Sequence, residues 1–273
     1  ACHFSCGDDL LYGILSVPDL AQSRGILMLV GGAQYRAGSH RQYTLLSRFF
    51  ASHGIPVMRF DYRGMGDSEG DTRDFESVED DIRCAVDYFM SSVAGMTGVV
   101  MWGLCDAASA ALFYGFRDPR ITGLALLNPW IRTETGLAKT TLRHYYIARI
   151  LDRTLWQKIL CARFNYRTAA ASLVRQVLTA FGNNEQHPVF ATLPDRMFEG
   201  YNRFDGPVLL ILSGDDLTAK EFADLASADE KWSALLQDRR TQHLELPNAN
   251  HTFSTRQWRD RVAGQTLDWI RSW

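Results

Sequence analysis

Cys105 sits at the centre of Gly103-Leu104-Cys105-Asp106-Ala107, within VVMWGLCDAASAAL over 99–112. Small residues two before and two after a nucleophile suit a sharp, strained turn from strand to helix, where larger side chains would clash. Such a turn lifts the Cys105 thiol out of the strand. It also sets the thiol at a helix N-terminus, whose N–H groups and dipole favour a thiolate. Asp106 is not the nucleophile in this frame, because Leu104 would then fill a small position. A working thiolate needs a base and an acid to orient that base. His251, in NANHTF, lies just beyond the apolar run TQHLELP, and Asp215 and Asp216 directly follow PVLLILSG. Asp216 is preferred as the acid, with Asp215 as the alternative, because the acid usually stands two or three residues past the strand's small terminator. An oxyanion hole needs two backbone N–H groups. Asp106 offers one, and Gly32 or Ala33 in Gly31-Gly32-Ala33-Gln34 offers the other. Further along that loop, Arg36, His40 and Arg41 are candidates to anchor a substrate carboxylate or phosphate; solvated loop charge is the plainer alternative.

These residues need elements to carry them. Apolar runs at 10–17, 26–31, 56–60, 98–102, 121–127, 207–212 and 241–246 read as strands. Short continuous runs bounded by Gly or Pro suit strands buried on both faces of a mostly parallel sheet. Helical patterns fall at 41–53, 75–92, 106–116 and 255–272. In the second of these, Val78, Ile82, Ala85, Val86 and Phe89 share one face, and Glu79, Asp80 and Asp81 crowd the first turn, where the helix dipole favours acids. Strands alternating with helices imply a doubly wound α/β sheet.

The alternation breaks between Leu127 and Pro207, where almost eighty residues carry no convincing strand. A structureless loop of that length is unusual in a compact domain. The segment is therefore read as an inserted helical cap over 131–205, dividing a core of 1–130 and 206–273. Residues 131–180 hold nine Lys/Arg against two Asp/Glu, a local +7 in a chain of net charge -2. That excess is either a solvated helix surface or a basic rim for an anionic substrate or acidic partner.

A net charge of -2, with 46% hydrophobic and 22% charged residues, exerts no global pull toward nucleic acid or membrane. No apolar run approaches the roughly 18 residues of a membrane span, and ACHFSCGDDL lacks the pattern of a secretion signal. Five cysteines (2, 6, 84, 105 and 161) form no CxxC pair, which argues for a reducing compartment over a disulfide framework. Cys2 and Cys6 flank His3 too loosely for a metal site, and the constellation calls for no metal and no cofactor.

The segments VGGAQYRAGSHRQY, RFDYRGMGDSEG, WGLCDAASA, LLNPWIRTE, LILSGDDLTAKEF and HTFS span nearly the whole chain. Together they resemble the α/β-hydrolase superfamily, in its serine-aminopeptidase-like branch. More narrowly they resemble the exosortase A system-associated hydrolase, type 1. The resemblance implies the α/β-hydrolase fold, with nucleophile, acid and histidine in the order Cys105, Asp216, His251. It also implies a bacterial cytoplasmic protein from exopolysaccharide gene neighbourhoods that include an acyl carrier protein and an acyl-CoA ligase. In that fold D-x-R-G-x-G-x-S, here Asp61 to Ser68, is a structural loop after the fourth strand.

The cysteine departs from the superfamily's serine, so peptidase activity does not carry over with the branch name. With Cys105 as nucleophile the acyl-enzyme is a thioester. Transfer from a substrate thioester is nearly thermoneutral, whereas an amine is a poor leaving group beside a thiolate. The expectation is a Cys-His-Asp thioesterase, esterase or acyltransferase, its acyl group carried by CoA or by an acidic carrier protein docked on the basic cap. Cap aromatics Tyr145, Tyr146, Trp156 and Phe164 would line the acyl pocket or pack its core. A lactone hydrolase of the dienelactone hydrolase type and a non-catalytic binding module on the same fold are the alternatives.

Overall fold

The computed structural model describes residues 1–131 and 192–273. Most of the expected cap lies outside the described residues, including its basic excess, its four named aromatics and Cys161.

Eight strands form one sheet: β1 (Cys2–Cys6), β2 (Asp9–Ser16), β3 (Arg24–Leu29), β4 (Val57–Phe60), β5 (Gly98–Leu104), β6 (Ile121–Leu127), β7 (Val208–Ser213) and β8 (Thr241–Leu246). Their spatial order is β1-β2-β4-β3-β5-β6-β7-β8. The β1–β2 and β2–β4 pairings are antiparallel, and every pairing from β4 through β8 is parallel. Strands β4, β5 and β7 are buried along their whole length, which explains their unbroken apolar sequence.

The helices are α1 (Gln42–Ser52), α2 (Glu79–Ser92), α3 (Asp106–Gly115), α4 (Leu193–Arg203), α5 (Leu217–Ala228), α6 (Glu230–Gln237) and α7 (Arg256–Arg271). A Cβ on Gly25, the partner of Val99, would meet Phe89 of α2, and one on Gly123, the partner of Val100, would meet Trp269 of α7. Consecutive strand residues point to opposite faces, so α2 and α7 cover opposite sides of the sheet. Helix α1 packs with α7, while α3 packs with both α2 and α4. Helix α4 opens on a capping box between Thr192 and Asp195 and buries Met197 and Tyr201. Its Gly200 lies against the Leu112 carbonyl of α3, where a Cβ would come within 2.2 Å.

Strand β1 pairs with β2 in a hairpin that the sequence reading did not anticipate. Helices α5 and α6 were likewise not anticipated. Helix α6 begins at Asp229, whose carboxylate accepts from Lys231 N and Trp232 N. The chain leaves β3 toward β4 on one side and returns to β5 on the other. The carboxyl ends of β3 and β5 therefore flank the point where strand order reverses, which is where open α/β sheets place their binding crevice.

Candidate active site

Cys105 joins β5 directly to α3 with φ 64° and ψ −127°. A positive φ at a non-glycine residue is strained by about 1–3 kcal/mol. The surroundings hold it: Cys105 N donates to Leu127 O at 2.9 Å, and its carbonyl accepts from Ala108 N at 3.0 Å and Trp130 N at 3.2 Å. A Cβ at Gly103 would sit 2.6 Å from the Ala107 carbonyl group. The small residue two before the nucleophile is thus a steric requirement of the turn.

At the end of β7, Asp216 serves as the N-cap of α5. Its Oδ2 accepts from Ala219 N at 3.0 Å and lies 2.8 Å from His251 Nδ1. Burial works to raise the Asp216 carboxyl, but the bond and charge of His251 and the N–H groups of Ala219 and Thr218 outweigh it and hold the group below its ordinary value. The neighbouring Asp215 is exposed, and its N–H donates to Ala249 O at 2.9 Å, tying this loop to the one that carries His251. The Asp216 bond, followed by the neighbouring Cys105 sulfur, raises His251 to about 10 against the opposing effect of burial. The structure therefore places His251, bonded to Asp216, near Cys105, with Asp215 outside that pair.

Asn128 is a member of this cluster that sequence reasoning missed. It is fully buried just past β6 with φ 44°. Its amide donates to Ser213 Oγ at 2.7 Å and to His251 O at 3.0 Å, and its Oδ1 accepts from Ser213 N at 2.9 Å. It ties the ends of β6 and β7 to the histidine loop. The only signal in the sequence was an Asn–Pro pair directly after an apolar run.

The loop after β3 meets the start of α3. Gly32 N donates to both carboxylate oxygens of Asp106, at 2.8 and 2.9 Å. Gln34 N closes a tight turn onto Gly32 O at 2.8 Å, with Ala33 at its apex. Among the described residues no acceptor takes the Ala33 N–H. Burial raises the Asp106 carboxyl above its ordinary value, chiefly against the N–H of Gly32. Gly32, Ala33 and Asp106 border a cavity of about 200 Å³ walled by Val30, Tyr62, Met65, Phe75 and Val78, with Arg73 and Asp74 also on its lining.

Arg36 is buried, and its guanidinium pairs with Asp61 and, at 2.8 Å, with Asp67. Asp61 is also the acceptor for Arg36 N at 2.7 Å and Asp67 N at 3.2 Å. Arg63 binds Asp81 of α2 through its backbone N–H at 2.8 Å and its Nε at 2.6 Å. The Asp61 to Ser68 segment thus fastens the β3 and β4 loops to each other and to α2. His40 and Arg41 are exposed at the start of α1, both with left-handed backbone. Among the described residues no group of three or more His, Cys, Asp or Glu is placed to hold a metal ion. No helix among them is long and apolar enough to cross a membrane.

An eight-stranded, mostly parallel sheet with helices on both faces and an elbow at the end of β5 is the architecture of the α/β-fold hydrolases. The chain belongs to the Alpha/beta hydrolase family, whose profile matches residues 26–265. That membership makes it an enzyme of hydrolytic type. Among solved structures it is similar to the Pyrococcus furiosus esterase Pf2001, with a TM-score of 0.65 and 14% identity over 100% of this chain and 89% of that one. It is also similar to Est1E from Butyrivibrio proteoclasticus with ferulic acid bound, with a TM-score of 0.63 and 14% identity over 100% of both chains. For the proline iminopeptidase of Mycobacterium smegmatis the TM-score is 0.60 at 17% identity, over 98% of this chain and 97% of that one. A curated relative, Protein ABHD12B of Homo sapiens, is 36% identical over 78 residues, which are 29% of this chain and 20% of that protein. The match spans a fifth of that relative's length.

Proposed function

We propose that the chain is a cysteine-nucleophile hydrolase or acyltransferase for acyl thioesters and esters, working through Cys105, His251 and Asp216. The observation that carries this reading is the strained elbow at Cys105 together with His251 held at 2.8 Å by Asp216. In the proposed cycle His251 takes the thiol proton, and the thiolate adds to the substrate carbonyl. The C–S or C–O bond to the leaving group then breaks, and His251 protonates the departing thiolate or alkoxide. Water, or a second acceptor, gives a proton to His251 as it adds to the acyl-enzyme thioester. The C–S bond to Cys105 breaks, the acid or new ester leaves, and the thiol is restored. Asp216 keeps the ring's Nδ1 protonated so that the other nitrogen faces sulfur.

For the oxyanion we assign the N–H groups of Asp106 and Ala33, since the Gly32 N–H is engaged with the Asp106 carboxylate. Each such donor is worth about 10²–10³ in rate. The cavity of about 200 Å³ bordered by Gly32, Ala33 and Asp106 is where the acyl group is proposed to sit. It equally admits a small lactone, whose ring opening is the same chemistry. A carrier protein or CoA at the basic cap, and His40 or Arg41 as outer contacts for its phosphate, complete the proposal. The narrower kinship with exosortase A system-associated hydrolases, and its bacterial cytoplasmic setting, rests on the sequence segments and belongs to the same reading.

The test is a panel of acyl-CoA, acyl-carrier, p-nitrophenyl ester, lactone and anilide substrates with acyl chains of two to twelve carbons. The reading expects turnover of short thioesters and esters well above anilides, abolished in Cys105→Ala. Turnover of anilides alone, or no turnover of any of them, contradicts it.

A further inference from the structure

Asp106 follows the nucleophile directly, and its carboxylate touches backbone 74 positions earlier in the chain. Both oxygens accept from Gly32 N, at 2.8 and 2.9 Å. The neighbouring glycine makes that contact possible, because a Cβ at Gly31 would lie 2.5 Å from Asp106 Oδ1 and 2.5 Å from Leu104 O. Gly32 is itself left-handed, with φ 63°. Two consecutive glycines give this loop the largest backbone freedom of any pair, yet it must hold an N–H to a fraction of an ångström. Its far side is secured by Gln34, whose Oε1 accepts from Ser39 N at 3.1 Å and Ser39 Oγ at 3.0 Å. Its near side is secured by Asp106.

We propose that the Asp106 side chain is a positioning residue that pins the Gly31–Gln34 loop to the start of α3, so that the Ala33 and Asp106 N–H groups converge beside Cys105. The inference rests on the oxyanion assignment above. A carboxylate suits the role because it only accepts, and the Gly32 N–H that both of its oxygens hold only donates. Asparagine keeps one accepting oxygen for Gly32, in a weaker neutral bond. Alanine keeps none.

The test separates oxyanion stabilisation from nucleophile strength. Turnover of a short acyl thioester passes through an oxyanion, whereas alkylation of Cys105 by iodoacetamide is a displacement at saturated carbon and does not. Both rates are measured for wild type, Asp106→Ala and Asp106→Asn. A displaced loop of about 1 Å is expected to lower kcat about 10²-fold in Asp106→Ala, with KM changed far less. Asp106→Asn should regain most of that loss, and all three proteins should alkylate Cys105 at about the same rate. If Asp106→Ala does not fold, Asp106→Ser carries the same expectation, because its hydroxyl stops one bond short of the carboxylate oxygens. Turnover in the alanine variant equal to or above wild type overturns the pin and makes the carboxylate an occupant of the hole. Alkylation falling in step with turnover overturns it also, by placing the effect on the thiol. A wild-type chain that turns over no ester or thioester overturns the parent reading, and this one with it.

Discussion

Replacing Asp216 by Asn separates charge from geometry at the candidate site. In the structure a single oxygen, Oδ2, accepts from Ala219 N at 3.0 Å and faces His251 Nδ1 at 2.8 Å. A backbone N–H only donates, so an asparagine is held with its own oxygen at that point, and His251 keeps Nδ1 protonated. The substitution thus preserves the helix cap and the tautomer and removes the negative charge. A hydrogen bond to a charged group contributes about 1.5–3 kcal/mol, against about 0.5–1.5 for a neutral one. The difference of about 1–1.5 kcal/mol corresponds to about tenfold in rate. His251 is 35% exposed, so water screens part of the interaction and tenfold is the upper end. Asp216→Ala, by contrast, loses the bond, the orientation and a helix N-cap. Its expected cost is about 10³–10⁴ in kcat and about 1 kcal/mol in stability. The assay is kcat/KM for a short acyl thioester at pH 7, with thermal unfolding of both variants. Asp216→Asn losing 10³-fold or more while melting like wild type would refute the reasoning, because the amide nitrogen would then face the ring. An asparagine variant as fast as wild type would refute it from the other side.

Three further outcomes follow from the same contacts. Arg36→Gln leaves Asp61, which is 0% exposed, without its cation, and should cost about 3–5 kcal/mol in chemical denaturation; an effect confined to KM for anionic substrates would instead make Arg36 a substrate anchor. His251 is raised in the folded chain from 6.5 to about 10, so its contribution to stability is full below pH 6.5 and lost as pH rises through about 10. The urea midpoint of wild type relative to His251→Gln should therefore fall across that window, and a gap that widens with pH contradicts the assignment. Burial, helped by the Cys84 thiol 2.6 Å away, pushes Cys6 up to about 12, so peptide mapping after brief iodoacetamide treatment at pH 7 should find Cys105 labelled well before Cys6; the reverse order would remove the case for an activated Cys105.

The elbow was legible because its constraint is local: Gly103 and Ala107 must be small where the backbone of the turn folds back on itself. Asp216 and His251 were legible because each stands a few residues past a strand-like run, here β7 and the edge strand β8. Spacing past the strand already favoured Asp216 over Asp215, and in the structure only Asp216 caps α5 and bonds His251. What the sequence hid were side chains serving distant backbone. The contact of Asp106 with Gly32 spans 74 positions, and that of Asn128 with His251 spans 123. Arg36 illustrates the converse. A cation in a polar loop beside the site reads as a substrate contact until Asp61, 25 residues on, is seen to take it. Strand β1 escaped notice because CHFSC is short and half polar, as an edge strand can be. Helix α5 escaped notice although its N-cap, Asp216, was named as the candidate acid.

The account stands most directly on where the acyl group goes. Wild-type protein mixed with a short acyl thioester, quenched in acid within milliseconds and weighed intact, should gain one acyl mass. Digestion should place that mass on the peptide containing Cys105, it should be removed by neutral hydroxylamine, and Cys105→Ala should show neither the adduct nor turnover. Turnover that persists in Cys105→Ala, or an acyl group found on another residue, would contradict the account.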